Sequence, residues 1–318
     1  KVTYFDSKIN IDIFHSLTDG NSGIQFFKEI VYQYIEIAHS NDFKNNLRSR
    51  RKIDVNVEDS YLKNYNKKAK NSEINKKAYI LKGKKIPFEA IRATHELINL
   101  TELKEQTKIK NVTMTQYLTA VLIQAIYRGN MKKKKNNRPI KVCVPVDLKK
   151  YFKSKTLSNF FSYITVSADV DEINLDNLDD VLKLVKSDFE NLLKPEEISK
   201  TMSLNVKLGT NFFIKVIPLF LKQIFVRVSY LEIRKYTTTT FSNIGRIGII
   251  AEYQKYIDQF LFLIAPERIE KIKCSTCSYE DRMFFTFTSI LRDIQIEDEF
   301  EKILKEQGIN VERESNGV

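Results

Sequence analysis

Of the three histidines in 318 residues, one is set as a reactive group would be. His15 ends the run "IDIFH" and is followed by Ser16-Leu17-Thr18-Asp19-Gly20. Histidine is the side chain whose ordinary pKa, about 6.5, lets a neutral imidazole take a proton from an alcohol or amine near pH 7. A turn after the strand would expose it, and Gly20 removes a side chain that would obstruct close approach. Asp19 can either orient the loop or favour the charged imidazole. His39 falls at the end of an amphipathic helix, where a cation suits the carbonyl-rich terminus, and His95 sits in an alternating stretch. Both read as structural.

Other chemistries find less support. Hydrolysis by Ser-His-Asp on an α/β-hydrolase fold needs a G-x-S-x-G elbow, which is absent from the sequence. With nine glycines the chain also lacks a phosphate-binding loop of the P-loop or dinucleotide type. Cys143, Cys274 and Cys277 are an odd, small set that suits a reducing compartment. Cys274 and Cys277 have C-x-x-C spacing, but a structural zinc needs four ligands, and no second such pair or neighbouring histidine completes the set. No metal is expected. Nothing has the form of a secretory signal, so the cytoplasm is the default, and the start at Lys1 inside a strand-like pattern is expected to be a trimmed one.

The formal charge is +12, and its distribution decides what it means. Residues 44–85 hold 14 Lys and Arg against four Asp and Glu, a net +10. This stretch is rich in Asn and poor in apolar periodicity, as a solvated linker would be. It can also act as an electrostatic funnel for a phosphate-bearing ligand. Nucleic-acid binding is a third reading, but Tyr61, Tyr65 and Tyr79 are too widely spaced to support stacking, and no nucleic-acid partner is expected.

The elements that must position His15 follow from periodicity. Ile9, Ile11 and Ile13 alternate with polar neighbours, which predicts a strand running up to His15. Ile24, Phe27, Val31, Tyr34 and Ile35 then recur at helical spacing. Further on, Thr113 and Gln116 form a capping box before Tyr117, Val121, Leu122, Ile123 and Ile126, which predicts a central buried helix. "PIKVCVPVD" and "NFFSYITVSADV" read as strands, and helices are expected over 177–193, after Pro195 and over 298–307. Phe212 to Leu231 has the length of a membrane span. Lys215, Lys222 and Arg227 argue instead for a core helix kinked at Pro218, with no transmembrane span. "YTTTTFSNIG", "DQFLFLIA", "RIEKIKCSTCSY" and "MFFTFTSIL" read as four strands, the last two joined at Glu280-Asp281. The pattern is mixed α/β.

His15 to Gly20 has the form H-x-x-x-D-G. It resembles the active-site signature of the chloramphenicol acetyltransferase-like superfamily, which includes nonribosomal peptide condensation domains and alcohol acetyltransferases. Two later stretches, "VPVDLKKYFKSKTLSNFF" from Val144 to Phe161 and "TFSNIGRIG" from Thr240 to Gly248, resemble segments of bacterial alcohol acetyltransferase-like proteins in the same order. Phe14 precedes His15 where condensation domains commonly carry a second histidine, which favours the acetyltransferase-like branch. Lys149 stands where arginine is frequent.

The resemblance implies two α/β lobes, each a mixed sheet flanked by helices, with His15 in a tunnel between them. Residues 1–86 are then the remainder of an N-terminal lobe plus the basic linker, and 87–318 the C-terminal lobe, the first lobe being incomplete at its N-terminus. An acyl thioester, on coenzyme A or a carrier protein, is the implied co-substrate, with no tightly bound cofactor, and the acceptor is a small alcohol or amine. His15 is the implied general base. Ser242 and Asn243 are assigned to oxyanion stabilisation or tunnel lining. Asp19 is a scaffold residue in a structural ion pair, with Arg246 as its expected partner. The protein is expected to be a monomer. A non-catalytic relative that binds ligands in the inter-lobe cleft is the alternative reading.

Overall fold

A computed structural model describes residues 1–43, 58–66, 76–88, 90–134, 136–210, 216–293 and 295–317. Calls on the sequence between 44 and 57, between 67 and 75, and at 212–215 lie outside the described residues.

The chain opens with a two-stranded antiparallel hairpin, β1 (Val2–Phe5) and β2 (Lys8–Ile11), followed by helix α1 (Gly20–Ala38). The strand ends at Ile11, so His15 is carried by the connection to α1 rather than by the strand itself. The described residues 58–66 and 76–86 are docked on the rest of the chain. In α2 (Ser60–Lys63) the Tyr61 hydroxyl donates to the Phe161 carbonyl at 2.7 Å and accepts from the Phe161 amide at 3.0 Å. Lys76 pairs with Asp169 at 2.8 Å, and Ala78, Tyr79 and Leu81 are buried.

From residue 92 onward the chain builds a seven-stranded sheet in the order β5-β4-β6-β7-β8-β3-β9. Its strands are β3 (Arg92–Asn99), β4 (Ile140–Asp147), β5 (Phe161–Ala168), β6 (Thr239–Arg246), β7 (Ile272–Tyr279), β8 (Arg282–Ser289) and β9 (Val311–Ser315). Pairing is parallel for β4 with β6 and for β6 with β7, and antiparallel elsewhere. Helices α3 (Leu100–Ile109), α4 (Met114–Ile126), α6 (Leu178–Leu192) and α10 (Gln295–Glu306) accompany it, with the short α9 (Ala251–Gln254) between β6 and β7. The capping box at Thr113 and Gln116 is formed, and α4 is buried from Gln116 to Ile126, which makes it the central core helix. Phe285 stacks on Phe300 of α10 with centroids 4.3 Å apart, and Phe241 lies 5.1 Å from Phe285. These rings join Val142, Val166, Val181 and Val185 in one core on the helical side of the sheet.

Alpha-helical winding in α4 gives way to a π turn at Tyr127–Met131, which brings Gly129 against the start of α10. A Cβ there would lie 2.6 Å from the Gln295 carbonyl oxygen. Backbone cannot yield as a side chain can, so Gly129→Ala is expected to destabilise the protein by about 1–3 kcal/mol, read by urea denaturation.

On the far edge of the sheet, Glu96 is fully buried and accepts from Arg313 Nε at 2.8 Å, while Arg313 also reaches Asp298 and Glu301. Burial pushes the Glu96 carboxyl up to about 8, against the pull of Arg313. The unfolded carboxyl titrates near 4.5, so the native state holds an extra proton between about pH 4.5 and 8. Stability therefore falls as pH rises through that window. Glu96→Gln is expected to flatten this dependence and to raise stability at pH 8 by about 2 kcal/mol, with little change at pH 5, in parallel denaturation curves.

Two expectations are corrected here. Asp258–Ala265 forms no ladder. It crosses the face of the sheet as a strap whose carbonyls at Ile257, Phe260, Phe262 and Ile264 accept from Tyr279, Cys277, Ser275 and Thr288. Side chains of β7 and β8 replace backbone partners, so the apolar run 260–264 lies against the sheet without joining its ladder. The second correction concerns 216–233. Helix α7 (Pro195–Thr210) is followed by a separate helix, α8 (Leu219–Ile233), with Pro218 as its N-cap rather than an internal kink. None of the α8 residues is buried, so it is not a core helix.

Candidate active site

His15 sits in a turn closed by the Leu17 amide donating to the Phe14 carbonyl at 2.9 Å. The turn is fastened to the segment running from the end of β4 to the start of β5. Asn159 Nδ2 donates to the His15 carbonyl at 2.7 Å, and the Thr18 hydroxyl donates to the Leu157 carbonyl at 3.2 Å. Asn21 Nδ2 donates to Asp147 Oδ2 at 3.1 Å. The exposed imidazole leans on the Phe161 ring, with centroids 5.1 Å apart. The stretch 144–161, which resembles a family segment in sequence, is thus the surface on which the H-x-x-x-D-G turn rests.

Asp19 is the N-cap of α1. Its Oδ1 accepts from the Ser22 amide at 3.0 Å, which satisfies one of the orphan donors of the first turn. Its Oδ2 pairs with Lys149 Nζ at 2.6 Å, and the same ammonium donates to Ser22 Oγ at 3.0 Å. Both carboxylate oxygens therefore hold the loop. The partner is Lys149 and not Arg246, which ends β6 with an exposed side chain. Lys149 is placed for this because Asp147, capping the short helix α5 (Leu148–Phe152), accepts from its amide at 2.9 Å. Gly20 begins α1, and a Cβ there would meet only Phe262 of the strap, at 3.9 Å. Gly23 is tighter, since its Cβ would come within 3.1 Å of Ile13 Cδ1.

Ser242 and Asn243 lie on β6. Phe241 points into the helical-side core, so Ser242 points to the opposite face, level with Ser275 under the strap. Phe161 faces the same way, because its neighbours Ile164 and Val166 fill the core from the other parity. The Asn243 amide serves the local fold, with Nδ2 donating to Thr115 Oγ1 at 2.9 Å and Oδ1 accepting from the Gly245 amide at 2.8 Å. The register shifts between Asn243 and Gly245, whose φ of +83° is one that glycine adopts without strain.

The parallel pair β4 and β6 is laddered only at Val142↔Thr239 and Cys143↔Thr240, yet β4 runs on to Asp147 and β6 to Arg246. Their carboxyl halves part company. The His15 turn is fastened at the end of β4, the strap lies over β7, and the first residue of α1 reaches from one toward the other. Crevices at the carboxyl ends of parallel strands are where open α/β sheets take ligands.

The remaining expected groups fall away from this crevice. His39 caps α1 and stacks on Tyr256 at 4.3 Å, and His95 Nδ1 pairs with Thr286 Oγ1 at 2.9 Å inside the sheet, where burial lowers its pKa. Cys274 enters the main core while Cys277 packs beside Phe260 on the other face, so the C-x-x-C pair cannot converge on one ion. Among the described residues no cluster of His, Cys, Asp and Glu has the makings of a metal site. Asn159 and Lys149 are the positioning residues that sequence reasoning passed over as such. The signal available was their place inside the family-like stretch.

No protein-family description matches the sequence, and no curated protein does. Solved structures do share its fold. The epimerization domain from the third module of tyrocidine synthetase B is 12% identical and aligns over 93% of this chain and 67% of its own, with a TM-score of 0.51. The F. graminearum TRI101 structure with ethyl coenzyme A is 13% identical over 93% of this chain and 65% of its own, with a TM-score of 0.49. A structure concerned with condensation domain-mediated chain release from the enacyloxin polyketide synthase is 10% identical over 72% and 42%, with a TM-score of 0.42. The chain thus spans between 42% and 67% of the length of these structures. Its mixed α/β fold is shared with that epimerization domain.

Proposed function

We propose that the protein transfers an acyl group, acetyl in the simplest case, from a thioester donor to an alcohol or amine. The observation that carries this reading is the H-x-x-x-D-G turn held by Asn159 and the Asp19–Lys149 pair beside the parted ends of β4 and β6. His15 takes the proton from the acceptor hydroxyl or amine as that atom bonds to the thioester carbonyl carbon. The carbonyl oxygen becomes an oxyanion, for which Ser242 is the assigned donor on the crevice face, while Asn243, turned to Thr115 and Gly245, holds the strand that presents it. The C–S bond then breaks and the imidazolium returns the proton to the departing sulfur. Asp19 acts on architecture and not on the proton.

On this reading the donor is an acyl-coenzyme A or an acyl carrier protein, there is no resident cofactor, and residues 1–86 belong to a first lobe that closes over a second, 87–318. Three free cysteines suit a reducing compartment, and we assign the protein to the cytoplasm as a monomer. The test is release of free thiol from acetyl-coenzyme A in the presence of mixed short alcohols and amines, with His15→Ala as the comparison. Acceptor-dependent release by the wild type alone is expected. Equal release from both proteins would remove His15 from the chemistry, and donor binding without release would identify a cleft that binds but does not transfer.

A further inference from the structure

The end of the sheet opposite His15 carries a second chemical character. Lys82, Lys84, Lys85, Lys134 and Arg292 are exposed there, around a half-buried Lys271. Backbone pairing holds them in register: Lys85 bridges Leu291, the Arg292 amide donates to the Lys84 carbonyl at 2.9 Å, and the Ile290 amide donates to the Lys271 carbonyl at 3.0 Å. Lys271 Nζ is spent on the Leu81 carbonyl at 2.6 Å, and Lys134 Nζ on the Lys82 carbonyl and Asn130 Oδ1 at 3.1 Å each. Among the described residues the acids at this end do not balance them. Asp293 is the acid that bears on Lys134, while Glu267 and Glu270 are taken up by Arg234 and Lys273.

Helix α8 ends against the same cluster. Arg234, just past its last turn, binds Glu270, the residue before Lys271, and Lys77 reaches Glu232 at 3.8 Å five residues ahead of Lys82. Along α8, Phe220, Leu221, Ile224, Phe225, Val228 and Leu231 lie toward one side and Leu219, Val226 and Ile233 toward the other, and all are exposed. Phe88, three residues beyond Lys85, is 93% exposed. Fifteen residues make a helix of roughly 22 Å, shorter than a bilayer core of about 30 Å. No helix among the described residues is long and apolar enough to cross a membrane.

We infer that this end of the molecule docks on an anionic lipid bilayer, with α8 and Phe88 lying in the headgroup boundary and the lysine cluster on lipid phosphates. Charge decides for a bilayer over a second copy, because a copy would bring a second uncompensated lysine cluster to the first, whereas anionic headgroups neutralise it. The docking leaves the His15 crevice, at the other end of the sheet, facing away from the membrane.

Flotation of the full chain with phosphatidylcholine vesicles, with and without phosphatidylglycerol, tests this. Capture is expected only on the anionic vesicles and is expected to weaken with added salt. Neutralising Lys82, Lys84 and Lys85 to Ala should weaken capture about 100-fold, at about 1 kcal/mol per charge. Phe220→Ser with Phe225→Ser should abolish it, with the unfolding transition of each variant measured alongside. Failure of the wild type to float, or flotation indifferent to salt and to both variants, would overturn the inference. So would a concentration-dependent dimer that the phenylalanine substitutions dissolve while vesicles capture nothing, since α8 would then pack on a second copy.

Discussion

His15→Ala is expected to unfold at the wild-type denaturant midpoint while losing between about 10²- and 10⁴-fold of acyl transfer, the usual contribution of a positioned general base. The two halves of this expectation come from different contacts. The imidazole is exposed and touches the fold through the face of Phe161, so removing it opens no cavity and orphans no buried partner. The fastening of the turn uses the His15 backbone carbonyl, which alanine retains. Thiol release and urea denaturation on the same preparations check both halves. A loss of activity accompanied by an early unfolding transition would mean that the side chain had been structural.

Lys149→Met is expected to cost about 3 kcal/mol of stability and to disorder the His15 turn with it. The Lys149 and Asp19 side chains are 16% and 11% exposed, so the methionine variant leaves a largely buried carboxylate without its cation. Breaking a buried pair from one side typically costs 3–5 kcal/mol, and the residual exposure argues for the lower end. Asp19→Asn combined with Lys149→Met removes both charges while keeping an N-cap oxygen for the Ser22 amide, and should recover part of the loss. Denaturation midpoints of the two single variants and the double one give the coupling directly. Lys149→Arg should preserve the pair, since an arginine can reach a carboxylate from the same stem position. An unaltered midpoint for Lys149→Met would show that the loop is held without the pair.

Much of this arrangement is legible in the residues alone, and the reason is local. The cap at Thr113, the strand-forming runs of β4 and β5 and the two-residue turn at Glu280-Asp281 are each decided by neighbours in sequence, and each forms where the pattern puts it. The His15 turn and the 144–161 stretch can be recognised together because each is a motif in itself. Their contact could not be read. Which cation meets Asp19 depends on where α5 starts in space, and Arg246 and Lys149 look equally eligible along the chain. The strap fails for a related reason: a short apolar run reports that a segment packs on the core, not whether its backbone finds a ladder. Helix α8 fails in the opposite sense. Apolar content predicts a desire for cover, but which surface supplies the cover is a property of the whole molecule.

The short ladder between β4 and β6 has a mechanical meaning. The β4–β5 pair, with the His15 turn fastened to its end, meets the rest of the sheet along that seam, while the strap is riveted to β7 on the other side of β6. Beyond Cys143 no backbone bond ties the strand that carries the histidine to its neighbour, and what joins the two is the shared core of Val144, Ile164 and Phe241 beneath them, so the width of the gap beside His15 is set by side-chain volume under the sheet rather than by hydrogen bonds across it.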